Sequence, residues 1–215
     1  MQQAATQSQA AFSIFGEGGE IRRIPADVDH FALFGLPRKL DLDGAELEAK
    51  YYELSRRLHP DFFMNAPVAE RVRSLDASAR LNGAYKTLKD PVRRAVYLVE
   101  LVSGKLKEND SKPPAGLFEQ IIEAQEAAAE LRCCDEGGEA EALRRRLQAA
   151  RDCFEALREG QRAALGELGR QWDRAVDAGG PAPPETIKKL RSILSLRNYI
   201  ENTLRNLREA LEAAS

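Results

Sequence analysis

The chain has 215 residues, enough for one large domain or two small ones with a real apolar core. Its 32 Lys and Arg nearly cancel its 34 Asp and Glu, and because the signs are interspersed no strong field is available to draw in nucleic acid or anionic lipid. No apolar run of about eighteen residues exists to span a membrane, and the Gln/Ala/Ser-rich start, with Arg22 as its first cation, has no secretory h-region.

Residues 1–27 are rich in Gln, Ala, Ser and Gly, and read as a disordered extension. The Gly16-Glu17-Gly18-Gly19 run lacks the preceding strand and the spacing of a nucleotide-binding loop. From Asp29 onward apolar residues recur at helical spacing almost to the end, with no period-two alternation, so the expected fold class is all-α.

The first long helix is expected to begin at Asp43, an N-cap with Glu46 placed for a capping-box-like pair. Its inward stripe is Leu47, Tyr51, Leu54 and Leu58, while Glu46 with Lys50 and Glu53 with Arg57 mark the solvated side. Pro60 ends it, because proline drives the preceding His59 out of the helical region and offers no N–H of its own. A second long helix starts at Pro67, with an expected inward face of Val68, Val72, Leu75, Ala79, Asn82, Tyr85 and Leu88. Asp90-Pro91 ends it and opens a third, which carries Ala95, Leu98, Val99 and Val102 and closes at Ser103-Gly104.

Residues 104–114 combine Gly, charge and two prolines, the composition of a linker, and place a domain boundary between 28–103 and 115–215. Beyond it Leu117, Ile121, Ala124, Ala128 and Leu131 keep a three-four spacing up to the Gly137-Gly138 break. A very long helix follows through Leu147, Phe154, Leu168 and Trp172 to Gly179-Gly180, and a last one carries Ile187, Leu190, Leu194, Ile200, Leu204, Leu207 and Leu211. Short breaks make such neighbours antiparallel, so 115–215 is expected to form a three-helix bundle. In its first helix Phe118 and Ile122 add apolar residues displaced from the core stripe. Either that face meets a partner, or the helix is buried on a wider front.

Cys133, Cys134 and Cys153, with His30 and His59 as the only histidines, do not make a zinc cage, and we read the thiols as reduced. No bound metal or cofactor is expected. Catalysis needs a nucleophile with its base, a metal, or carboxylates in a closed cleft, and the sequence assembles none of these. His59 and Asp61 flank Pro60 at a turn with no third group to orient them, so the chain is read as a non-enzyme.

The succession FALFGLP (31–37), KYYELSRRLHPD (50–61), LNGAYKTLKDP (81–91) and RRAVYL (93–98) resembles the J-domain family. The resemblance implies a helical hairpin flanked by short helices. It further implies that His59, Pro60 and Asp61, with Lys50, Arg56 and Arg57 on the preceding helix, contact a DnaK- or HscA-type chaperone and stimulate its ATPase. No Gly/Phe-rich or zinc-binding region follows. That layout, with DHFALFGLP at 29–37 and LFEQIIEAQE at 117–126, resembles the HscB co-chaperones of iron-sulfur cluster assembly. The implied architecture is an L-shaped J domain plus bundle, cytoplasmic and monomeric, with weak self-association as the alternative.

The same resemblance implies that the bundle binds an IscU-type scaffold through Leu117, Phe118 and Ile121, with the last helix contributing near Ser192 or Ile193. Ile122 and Gln125 complete the candidate set and depart from the family, which usually carries acidic residues there. The extension also lacks the cysteine-bearing metal motif found in some relatives. Two rival readings stay open: a J protein delivering another client, and a helical scaffolding protein in which His59-Pro60-Asp61 is only a turn.

Overall fold

The computed structural model describes residues 11–106, 113–134 and 137–213. Among them the fold is all-α, and the one sheet-like pairing is an isolated antiparallel bridge between Phe15 and Ile21. The helices are α1 (His30–Phe34), α2 (Gly44–Arg57), a 3-10 turn (Pro60–Phe63), α3 (Val68–Lys89), α4 (Pro91–Ser103), α5 (Ala115–Cys133), α6 (Gly138–Asp177) and α7 (Pro184–Ala213). Two compact units divide the chain at Lys105/Leu106, Gly169 and Ile187.

Local chemistry sets the helix ends in the first unit. Asp29 caps α1 by accepting from Ala32 N at 2.8 Å, and Gly35, at φ 61°, supplies the left-handed residue that closes it. Asp43 caps α2 through the N–H groups of Ala45 and Glu46, and Asp90 caps α4 through those of Val92 and Arg93. Burial of Phe31, Leu33, Phe34, Leu47, Leu58, Leu81, Leu88 and Leu98 forms the core between these helices.

The inward face of α3 is the expected one at Leu88 but departs from it over the first turns. Ser74, Ala77, Leu81, Ala84 and Leu88 are buried, whereas Val68, Val72 and Leu75 are exposed. The buried set is a continuous three-four stripe built largely from small residues. Small side chains let a backbone approach its neighbour closely, and that closeness outweighs the apolar bulk of the expected stripe.

Nor is the segment expected to be disordered uniformly so. Residues 1–10 lie outside the described residues, but Ile14, Ile21 and Ile24 are buried, and Phe12 N donates to Ala32 O at 2.9 Å. The chain reverses over Gly16–Gly19, where Gly16 N bonds Glu20 O at 2.9 Å, Arg22 N bonds Ile14 O at 2.8 Å, and Gly19 takes φ 81°. Burial of three isoleucines orders what composition alone makes look free.

The first unit also includes Gly169–Ile187, the joined ends of α6 and α7, which periodicity assigns to the bundle. Trp172 is fully buried and donates from Nε1 to Arg38 O at 2.8 Å, and Asp173 accepts from Leu40 N and Asp41 N at 2.7 and 2.8 Å. Those partners lie in the α1–α2 connection. Of the expected linker 104–114, residues 107–112 lie outside the described residues.

In the second unit α5, α6 and α7 share a core of Ile121, Ala124, Ala128, Leu131, Leu147, Phe154, Ile200, Leu204 and Leu207. Leu117, Leu143 and Leu211 pack against it while partly buried.

Candidate chaperone interface

Helix α2 stops at Leu58, which is fully buried and has φ −93°, ψ 0°. Its carbonyl accepts from two hydroxyls of the facing helix, Ser74 Oγ at 2.8 Å and Ser78 Oγ at 3.0 Å. These bonds satisfy an orphan carbonyl at a helix end and fix the point from which the turn departs. His59 then takes φ −58°, ψ 127°, the extended geometry that a following proline favours, and Pro60 opens the 3-10 turn at its first position.

The side chains of His59 and Asp61 stand 55% and 75% exposed. Nδ1 of His59 accepts from Asp61 N at 3.3 Å and lies 3.5 Å from Asp61 Oδ2. The two contacts exclude each other at any instant: a neutral Nδ1 accepts the backbone N–H, and a protonated one pairs with the carboxylate. The Phe62 ring stands edge-on to the imidazole with centroids 6.3 Å apart, and Phe62 N donates to His59 O at 3.1 Å. The tripeptide is thus an exposed, internally braced projection.

The predicted cations separate. Arg56 and Arg57 join Phe15, Gly19, Phe62 and Phe63 around an open cleft beside the turn. The Arg57 guanidinium carbon sits 3.8 Å from the Phe15 ring centroid. Lys50 lies about two turns before Arg56 and Arg57 on α2. It donates to Phe34 O at 3.2 Å and Gly35 O at 3.3 Å, and pairs with Glu46 at 3.1 Å, so its charge meets the C-terminal dipole of α1.

Behind the projection, Arg38 donates to Asp29 Oδ2 from Nε at 2.8 Å and from Nη2 at 2.5 Å, with both side chains buried. The His30 ring stacks on Tyr97 with centroids 4.2 Å apart, and the His30 backbone N–H donates to the Tyr97 hydroxyl at 3.0 Å. Burial holds the His30 imidazole below its ordinary value, with Asp29 opposing and Arg80 adding to the shift.

The candidate scaffold contacts on α5 also separate. Leu117 and Ile121 turn toward the core of their unit, whereas Phe118 is 52% and Ile122 37% exposed and Gln125 is exposed beside them. Positions 118, 122 and 125 follow i, i+4, i+7 spacing and make one solvent-facing stripe. On α7, Ser192 is exposed and Ile193 partly so. Cys133, Cys134 and Cys153 are not joined in a disulfide. Among the described residues no group of three His, Cys, Asp or Glu is placed to hold a metal ion, and no helix is long and apolar enough to cross a membrane.

Sequence reasoning did not single out Phe15 or the exposed Phe62 and Met64, and it turned Val68, Val72 and Leu75 inward where the structure leaves them exposed. Isoleucines on either side of a glycine-rich reversal are a hairpin signal that points to the first. Phe62 and Met64 lie in and just after the 3-10 turn, before α3 begins, where no helical period marks them.

Residues 29–97 match the DnaJ domain family. The chain is 36% identical over 188 residues to the "Co-chaperone protein HscB homolog" of Azoarcus sp. (strain BH72), covering 86% of this chain and 96% of that protein. A Vibrio cholerae protein of the same description (serotype O1, strain ATCC 39541) is 32% identical over 176 residues, covering 81% and 95%. Among solved structures, human co-chaperone HscB superposes with a TM-score of 0.67 at 22% identity, covering 94% of this chain and 91% of that one. The chaperone HscB from Vibrio cholerae gives 0.50 at 33% identity, covering 81% and 96%.

Proposed function

This chain belongs to the HscB family of J-domain co-chaperones, and from that premise we propose that it couples a DnaK- or HscA-type ATPase chaperone to an IscU-type iron-sulfur scaffold. The observation that carries the reading is the braced and exposed His59-Pro60-Asp61 turn within the residues that match the DnaJ domain. A turn fixed from behind by Ser74 and Ser78 loses little conformational entropy on binding. Arg56 and Arg57 beside it offer planar donors to carboxylates of the chaperone.

The chain makes and breaks no covalent bond in this role. By binding the hydrolysing conformation of the chaperone better than its alternative, it shifts that equilibrium, and the differential affinity sets the size of the shift. The α5 stripe of Phe118, Ile122 and Gln125 supports the second half of the reading, an exposed apolar face that the scaffold covers. Carrying both partners raises their effective concentration for each other without a new contact between them. The proposed setting is the cytoplasm.

Steady-state ATPase of a purified HscA-type chaperone, with this chain and with its His59→Gln variant, tests the first half. Stimulation by the native chain that His59→Gln abolishes is expected. Equal rates with both, or no stimulation by either, would overturn it.

A further inference from the structure

The segment Ala11–Val28 precedes the residues that match the DnaJ domain, yet it is built into the first unit. Arg73 Nη1 donates to Ile21 O at 3.2 Å, and Arg80 donates to Ile24 O at 2.6 Å, to Pro25 O at 3.1 Å and to Val28 O at 3.3 Å. These bonds run from α3 to strap backbone that no sheet satisfies, and Ile14, Ile21 and Ile24 bury their side chains beneath it. The strap is therefore held along its length, and its reversal carries Phe15 to the edge of the cleft beside the His59-Pro60-Asp61 turn.

There the Phe15 ring supports the Arg57 guanidinium at 3.8 Å. A guanidinium stacked by its flat face keeps its N–H edges free, and those edges pair with carboxylates. Arg57 is 51% exposed in this position and pairs with the likewise exposed Glu53 at 3.8 Å, a surface ion pair that a partner carboxylate can replace. Without the ring, a long side chain on a solvated helix face samples many rotamers and loses that freedom on binding.

We propose that Phe15 is a positioning residue. It holds Arg57 in the cleft to receive a carboxylate of the chaperone, so the strap extends the chaperone-binding surface beyond the J domain proper. The two guanidinium groups, flanked by Phe15, Phe62 and Phe63, fit an acidic segment with an apolar neighbour. This rests on the reading of the first unit as a chaperone-binding domain.

The test is ATPase stimulation titrated with the full-length chain, which separates the half-saturating concentration from the maximal rate. Phe15→Ala and Phe15→Leu are expected to raise the half-saturating concentration about two- to fivefold, the fold-change of a partly exposed cation–π contact. Maximal stimulation is expected to be unchanged, and Phe15→Tyr, which keeps the ring, to retain native affinity. In an Arg57→Ala background, Phe15→Ala is expected to add nothing further. Equal loss on both backgrounds would make Phe15 merely structural and overturn the proposal, as would native affinity in Phe15→Leu. Either result alongside stimulation that His59→Gln abolishes leaves the chaperone reading standing; absence of stimulation by the native chain removes both.

Discussion

Ser74 Oγ reaches across from α3 to donate to the carbonyl of Leu58, the last buried residue before the His59-Pro60-Asp61 turn. Ser78 shares that acceptor at 3.0 Å. Each bond covers for loss of the other, because one donor is enough to keep the carbonyl from being left buried and unpaired. Ser74→Ala or Ser78→Ala alone is expected to lower stability by about 0.5–1.5 kcal/mol, and the double substitution by more than the sum of the two. Urea unfolding of the four proteins measures this, and simple additivity would show that the two hydroxyls act independently.

The Asp29–Arg38 pair works differently, since each partner serves other groups as well. Asp29 also caps α1, and the carbonyl of Arg38 receives the Trp172 indole N–H. Arg38→Ala strands a buried carboxylate and is expected to cost about 3–5 kcal/mol. Adding Asp29→Asn, which keeps a cap acceptor and removes the stranded charge, is expected to recover part of that loss. An undiminished loss in the double variant would show that packing of the Arg38 stem, rather than its charge, is what matters.

His30 gives the first unit a pH dependence. Burial holds its folded-state value below the ordinary 6.5, so the unfolded chain binds the proton more readily. Stability is then full above about 6.5 and falls as pH drops through the window between that value and the lowered one. His30→Phe keeps a ring against Tyr97 and removes the titration. The difference in unfolding free energy between this variant and the native chain is expected to shift in favour of the variant from pH 7.5 to pH 5.5. A difference that stays constant over that range would exclude His30 as the origin.

Features set by near neighbours in the chain are legible in the sequence alone: the caps at Asp43 and Asp90, the stop at Pro60, and the all-α class. These depend on covalent geometry and on bonds spanning two or three residues. What is not legible depends on distant groups. The strap is ordered by Arg73 and Arg80, more than fifty residues away in the chain, and the α6–α7 end joins the first unit through Trp172 and Asp173, more than 130 residues from their acceptor and donors. The inward face of α3 departs from its apolar stripe because Ser and Ala carry little hydrophobic signal, although small size is what a close helix contact needs. On α5 the displaced apolar residues stand out in the sequence, but only their exposure separates a docking stripe from a wider core.

That separation makes the scaffold-binding reading testable without confusing it with folding. Ile121 is buried in the core of the second unit, so Ile121→Ala is expected to cost about 2–4 kcal/mol. Phe118 and Ile122 face solvent, and Phe118→Ser with Ile122→Ser is expected to change stability by no more than about 0.5 kcal/mol. If the stripe receives the scaffold, the second variant loses most of its affinity for purified IscU-type protein while unfolding at the native urea midpoint. It also keeps native stimulation of the chaperone in the absence of scaffold, because the His59 turn belongs to the other unit. Calorimetric titration with scaffold, set beside urea unfolding and ATPase stimulation of the same preparation, reads all three. Native scaffold affinity in the double variant would move the docking site off this face of α5, and a large loss of stability would show that Phe118 and Ile122 serve the core instead.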